Sequence, residues 1–201
     1  MKKTTKESDE LRPEYTRDEL GPKGRGKYAA MLHPLVSQLR FTRSEFLRAI
    51  KGVSDEDGRR RFLPMNCLAW NVGHLAWQEQ RYFLYYGHEK KLLLPEIDTE
   101  FTYGAAASTP SLREMIAAWK TITAAADPWL DTLTTDNLLQ HALSNGKPLQ
   151  RTYGNLLQRT IYHYWYHTGE NMAIRQLLGH QKLPVYVGNI DTKAPYRRED
   201  F

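Results

Sequence analysis

One cysteine in 201 residues, Cys67, excludes a disulfide within this sequence. Apolar runs are only a few residues long, far below the roughly 18 that a membrane-spanning helix needs. No membrane partner is expected. The charged opening MKKTTKESDE is followed by no apolar stretch. No secretory leader is therefore expected, and the cytoplasm is the expected compartment. Positive charge is in excess but sparse, with 28 Lys and Arg against 23 Asp and Glu. Its only dense spot is Arg59-Arg60-Arg61, whereas gripping a phosphate backbone takes a stripe of roughly six or more contacts. No nucleic acid is expected as a partner. What is present is a polar chain with 41% hydrophobic residues. At this length such a chain can bury roughly 70% of its unfolded surface without staples.

Periodicity divides the chain into a helical domain over 27–183, a mobile charged tail over 1–26 and a C-terminal coil over 184–201. The first helical pattern runs from Tyr28 to Ile50, with Leu32, Leu35, Leu39, Phe46 and Ile50 on one face. Pro34 is an alternative start. The second begins at Pro64, a favoured first helical residue, and ends at Gly87 as C-cap. Its stripe is Cys67, Trp70, His74, Trp77, Gln78 and Arg81. Gly73 lies mid-helix, where it costs about 1 kcal/mol against alanine and points to a close approach by another backbone or a ligand. The third opens on Ser111-x-x-Glu114, a capping-box pattern, and Pro128 is expected to break or kink it. Asn145-Gly146 signals a small hairpin or ordered loop. The fourth helix spans Tyr153 to Leu178 and closes on Gly179. Its stripe is Leu156, Thr160, His163, His167, Glu170, Ile174 and Leu177.

The centre of that last stripe carries the chemistry. Residues four apart on a helix lie one above the other, so His163 and His167 can both reach one metal ion. Glu170 shares their face. Three polar groups in an apolar stripe need partners, or each incurs a burial cost of several kcal/mol. A divalent metal would satisfy all three. The alternative is two core histidines bonded to backbone or to tyrosine hydroxyls. His74, on the core face of the second helix, is a third imidazole that converges on the pair if the two helices pack side by side. Three protein ligands leave a position open, the pattern of a catalytic rather than a structural site. Cys67 lies two turns, about 10 Å, from His74, which favours a buried structural thiol over a fourth ligand. His33, His88, His141 and His180 fall at helix ends or in loops and read as surface residues.

The segments GHLAWQEQRYF and HYWYHTGENMAIRQLLGH resemble those of the DinB/YfiT-like superfamily, its DinB-2 type in particular, over about residues 28–180. The resemblance implies an all-α four-helix bundle with a three-histidine metal site in its core. Here the ligands would be His74, His163 and His167. The ion would be divalent: zinc, nickel or iron. Glu170 stands where many relatives carry glutamine, and as a carboxylate it is the candidate catalytic residue: a ligand, an orienter of a metal-bound water or a general base. Trp70, Trp77, Gln78 and Tyr166 are weaker candidates for a pocket wall. Related proteins include thiol S-transferases that use bacillithiol or mycothiol, a maleylpyruvate isomerase and the iron-bearing domain of ergothioneine-synthase-type enzymes. No partner domain of the last kind is expected from these residues. The resemblance thus implies a metal-dependent enzyme, such as a thiol S-transferase or hydrolase acting on a small molecule, for example a low-molecular-weight thiol. A non-catalytic metal- or ligand-binding module is the alternative. A DNA-associated stress protein is disfavoured by the thin basic charge. With five Trp and twelve Tyr, aromatic surface is available for a homodimer.

Overall fold

The computed structural model describes residues 32–88, 91–185 and 187–197. The tail expected over 1–26 lies outside the described residues. Helix α1 (Pro34–Ile50) starts at the proline, whose fixed φ suits a first turn, and His33 caps it by accepting the Leu35 amide on Nδ1 at 3.1 Å. Residues 32 and 33 are not helical. After Gly52, at φ 78°, comes a short helix α2 (Asp55–Arg59), N-capped by Ser54.

Helix α3 (Leu68–Glu79) begins four residues later than Pro64 suggests. Pro64 sits in a turn closed by the Met65 amide on the Phe62 carbonyl, and Cys67 takes the N-cap, its Sγ accepting from the Trp70 amide at 3.4 Å. Past Glu79 the helix widens into a π-helical stretch, Gln80–His88. Gly87 is therefore not a terminator. It lies inside that stretch against the Trp129 ring, where a Cβ would come within 3.0 Å. A small helix α4 (Pro95–Glu100) follows.

Helix α5 (Leu112–Leu130) runs through Pro128, so of the expected break or kink the break does not occur. The proline falls in the last turn, and the next residues are anchored: Trp129 packs on Phe83 and Tyr153, and Leu130 is buried. Ser111 caps α5 through the Glu114 amide. Helix α6 (Thr135–Leu139) has a reciprocal Thr134–Asn137 capping box. Strands β1 (His141–Ser144) and β2 (Lys147–Thr152) form an antiparallel hairpin. Asn145 and Gly146 both take positive φ, 50° and 75°, as a two-residue primed turn demands.

Helix α7 (Tyr153–Leu177) is capped by Thr152 at one end. At the other, Gly179 sits at φ 78°, the His180 amide bonds the Arg175 carbonyl and the Gly179 amide bonds that of Gln176. That pair of bonds is the Schellman arrangement. The buried face of α7 is broader than the expected stripe. Leu156, Thr160, His167 and Ile174 of that stripe are buried, joined by Leu157, Ile161, Tyr164, Thr168, Asn171 and Arg175, while His163 and Glu170 are half-buried and Leu177 is exposed.

The protein is mostly helical, with the single hairpin as its sheet among the described residues. Helix α3 packs along α5 and α1 along α7, and α3 also meets α7. The core holds Leu39, Phe46, Leu75, Phe83, Ile122 and Leu156. The segment after Pro184 is not plain coil. It contains helix α8 (Ile190–Lys193) and lies on α1, where the Gln38 amide donates to the Ala194 carbonyl at 2.7 Å. Glu45 accepts from the Gly188 amide, and Arg197 donates to the Leu32 carbonyl. Among the described residues, no helix is long and apolar enough to cross a membrane.

Candidate metal centre

The meeting of α3 and α7 brings three imidazoles together. One ring nitrogen of each of His74, His163 and His167 lies within 4.8 Å of the others. The His163 and His167 Nε2 atoms are 2.9 Å apart. His74 and His167 are nearly buried, and His163 is half-buried. Trp70 and Trp77 cover the two faces of the His74 ring, at 4.9 and 5.1 Å and within 17° of parallel. This stacking fixes the plane of His74.

Each ring is held by an oxygen at its other nitrogen. His74 Nδ1 lies 2.6 Å from the Phe101 carbonyl. His163 Nδ1 lies 3.0 Å from the Gln78 side-chain oxygen. His167 Nδ1 lies 2.7 Å from Glu170 Oε2. A carbonyl and an ionised carboxylate can only accept, so the protons sit on Nδ1. The Nε2 atoms then present lone pairs to a shared point. Two lone pairs at 2.9 Å repel unless a proton or a cation lies between them. Outward Nδ1–H donors with inward lone pairs are the arrangement by which proteins orient imidazoles toward a metal. The residues present therefore fit a divalent ion.

Electrostatics agree with that state. Burial lowers the His74 pKa to about 4, against the opposing bond to Phe101. Burial, then the neighbouring His167 and His74, lowers that of His163 to about 3. Both rings are neutral at pH 7, as metal ligation requires.

Glu170 stands beside the trio, not within it. Its Oε2 accepts from both His167 Nδ1 and the Asn71 side-chain amide, the latter at 3.1 Å. Its side chain is 21% exposed, and Oε1 makes no hydrogen bond among the described residues. Gln78 is 4% exposed, a buried partner of His163. Tyr166 is 70% exposed and stands edge-on to His167, so it rims the site rather than walling a pocket. Cys67 is buried with its Sγ toward the Ser108 carbonyl and caps α3. It is a structural thiol outside the trio. His33 and His180 are half-buried and bonded, and His141 is exposed. The side chain of His88 lies outside the described residues.

Two partners escape sequence reasoning. The Phe101 carbonyl is a main-chain atom with no side-chain signature. Its one trace is Gly73, where a Cβ would stand 2.6 Å from the Phe101 ring. The close approach signalled by that glycine is thus made by an aromatic side chain. Asn71 is the second, an ordinary amide on α3 that ties Glu170 to Asn171.

Comparison with known families gives a match between residues 38–170 and the DinB superfamily, a stretch that includes all three histidines and ends on Glu170. No curated protein matches the chain.

Proposed function

The chain belongs to the DinB superfamily, and from that premise we propose that it is a cytoplasmic metalloenzyme of four-helix-bundle type. His74, His163 and His167 hold one divalent ion, zinc, nickel or iron. The substrate is a small molecule, a low-molecular-weight thiol in the S-transferase reading or a hydrolysable compound in the hydrolase reading. The observation that carries this is the convergence of three ring nitrogens within 4.8 Å, each ring held from behind by an oxygen. When bound, such an ion supplies Lewis-acid activation of a thiol or of water.

The chain's own residues have separate tasks. The Phe101 carbonyl, Gln78 and Glu170 Oε2 hold the imidazoles in one tautomer. Trp70 and Trp77 clamp the plane of His74 and keep water from it. Glu170 Oε1, at the partly exposed rim, is placed to accept the proton of an arriving thiol or water. Exposed Tyr162 and Tyr166 on the same helix form the approach to the site and supply aromatic surface that a second copy would cover in a homodimer.

Elemental analysis tests the centre. The expected content is about one divalent ion per chain, lost in His74→Ala, His163→Ala and His167→Ala. Retention of metal by all three variants overturns the assignment. A panel of thiol cofactors with electrophilic acceptors tests the activity. Glu170→Gln is expected to keep the metal and lose activity by about 100-fold or more. The deep burial of His74 and His167 favours the second reading, a non-catalytic binding module, and a wild type inert across the panel would decide for it.

A further inference from the structure

The metal centre sits between two polar cross-links that join α3 to α7. On one side the Asn71 amide donates to Asn171 at 2.8 Å and to Glu170 at 3.1 Å. On the other the Tyr164 hydroxyl donates to Glu79 at 2.8 Å. Between them fall His74 facing His167, and Gln78 bonded to His163. Positions rise along α3 as they fall along α7, so these contacts share one antiparallel register. Gln78 and Glu79 are consecutive, as are His163 and Tyr164. The Glu79–Tyr164 bond therefore lies one residue from the bond that orients His163.

Glu79 is fully buried and fully engaged. Besides Tyr164 it accepts from both ends of the Arg43 guanidinium, through Nε at 2.7 Å and through a terminal nitrogen. Arg43 also donates to Asp127 at 2.7 Å. The Tyr164 hydroxyl accepts from the Trp119 indole. Arg43 is on α1, Glu79 on α3, Trp119 and Asp127 on α5, and Tyr164 on α7. One network thus ties all four long helices together at the level of the metal centre. A buried ion pair is a poor way to stabilise a core, since well-packed apolar residues of similar volume often do as well or better. Apolar cores tolerate sliding and repacking, losing a unique arrangement before they lose stability. Directional bonds do not tolerate sliding.

We propose that the buried Arg43–Glu79–Tyr164 network is the positioning device of the three-histidine centre, fixing the register of α3 against α7 so that the three ring nitrogens converge. This rests on the reading that the histidines hold a metal. Glu79, Arg43 and Tyr164 are positioning residues, reaching the ion only through Gln78, His163 and the helix backbones. The network's product is ligand geometry, and stability is secondary to it.

The test uses Co2+ as probe, because its visible absorption reports coordination geometry as well as occupancy. Two variants are compared with wild type on the full chain. Tyr164→Phe removes one hydroxyl and keeps the ring. The double variant Arg43→Met with Glu79→Met replaces the ion pair by apolar volume. Both are expected to melt within a few degrees of wild type, to bind Co2+ about 10-fold more weakly or worse, and to show an altered Co2+ spectrum. Should the double variant fail to fold, Tyr164→Phe carries the test. Val36→Ala, a core truncation outside the network, is the control and is expected to keep wild-type affinity and spectrum while melting lower. Wild-type affinity and spectrum in Tyr164→Phe and in the folded double variant overturn the proposal, as does an equal loss in Val36→Ala. A wild type that binds no Co2+ instead removes the metal centre itself and the proposal with it, a failure distinct from loss of the register role.

Discussion

Gly73 shows how one missing carbon shapes the centre. On helix propensity alone, alanine there would gain about 1 kcal/mol. The added Cβ would stand 2.6 Å from the Phe101 ring, and overpacking of a filled core costs about 1–3 kcal/mol. The clash is the larger effect, because the ring is 1% exposed and has nowhere to retreat. Gly73→Ala is therefore expected to lower the chemical-denaturation midpoint. It should also weaken metal binding, since moving Phe101 moves the carbonyl that holds His74. A Gly73→Ala protein with unchanged midpoint and unchanged metal affinity would show that Phe101 yields freely. Gln78 teaches a related lesson. The helical period sets it on the stripe of His74 and Trp77, but its partner shows only when α3 packs on α7 and buries it against His163.

At the scale of elements, the ends of α7 were legible and the breadth of its buried face was not. Thr152 and Gly179 bracket the helix with groups whose capping chemistry is local, and Asn145-Gly146 fixes the hairpin turn in the same way. The width of the buried face is another matter. Leu156, Thr160, His167 and Ile174 follow the period, but Tyr164, Thr168, Asn171 and Arg175 are also buried, polar-bearing residues that an apolar period passes over. Leu177 keeps the period and is exposed. His163 and His167 stay on the side of α7 that meets α3, where His74 faces them. Pro64 and Gly87 misled for a different reason. Each has a strong local preference, and tertiary contacts decided against it: the cap at Cys67 in one case, the Trp129 ring against the π-helical stretch in the other. The network of Arg43, Glu79, Tyr164 and Trp119 left no trace in the sequence, since its four members are far apart along the chain and meet only in the folded core.

For the whole molecule, the neutral histidines make stability depend on pH. His74 and His163 titrate at about 4 and about 3 in the folded state, against about 6.5 in an unfolded chain. Between these limits the unfolded chain binds more protons, so the stability of the metal-free protein rises with pH. It is expected to be fully present above about pH 6.5 and to fall as pH drops toward 4 and then 3. Denaturation midpoints from pH 3 to 8 check this, with a His74→Gln, His163→Gln variant to subtract the carboxylates. A wild-type curve parallel to that variant's would refute it. The same protonation state has a calorimetric consequence. A site whose imidazoles still carried their acid protons would have to shed them to the buffer on loading, and the measured heat would change with the buffer's own ionisation enthalpy. Here His74 and His163 have surrendered those protons to solvent on folding. At pH 7 these two rings are therefore expected to add nothing to the protons released on metal uptake. Calorimetry in two weakly coordinating buffers of different ionisation enthalpy checks this: a release of two or more protons per ion would mean that these rings are not the neutral, waiting ligands their burial makes them.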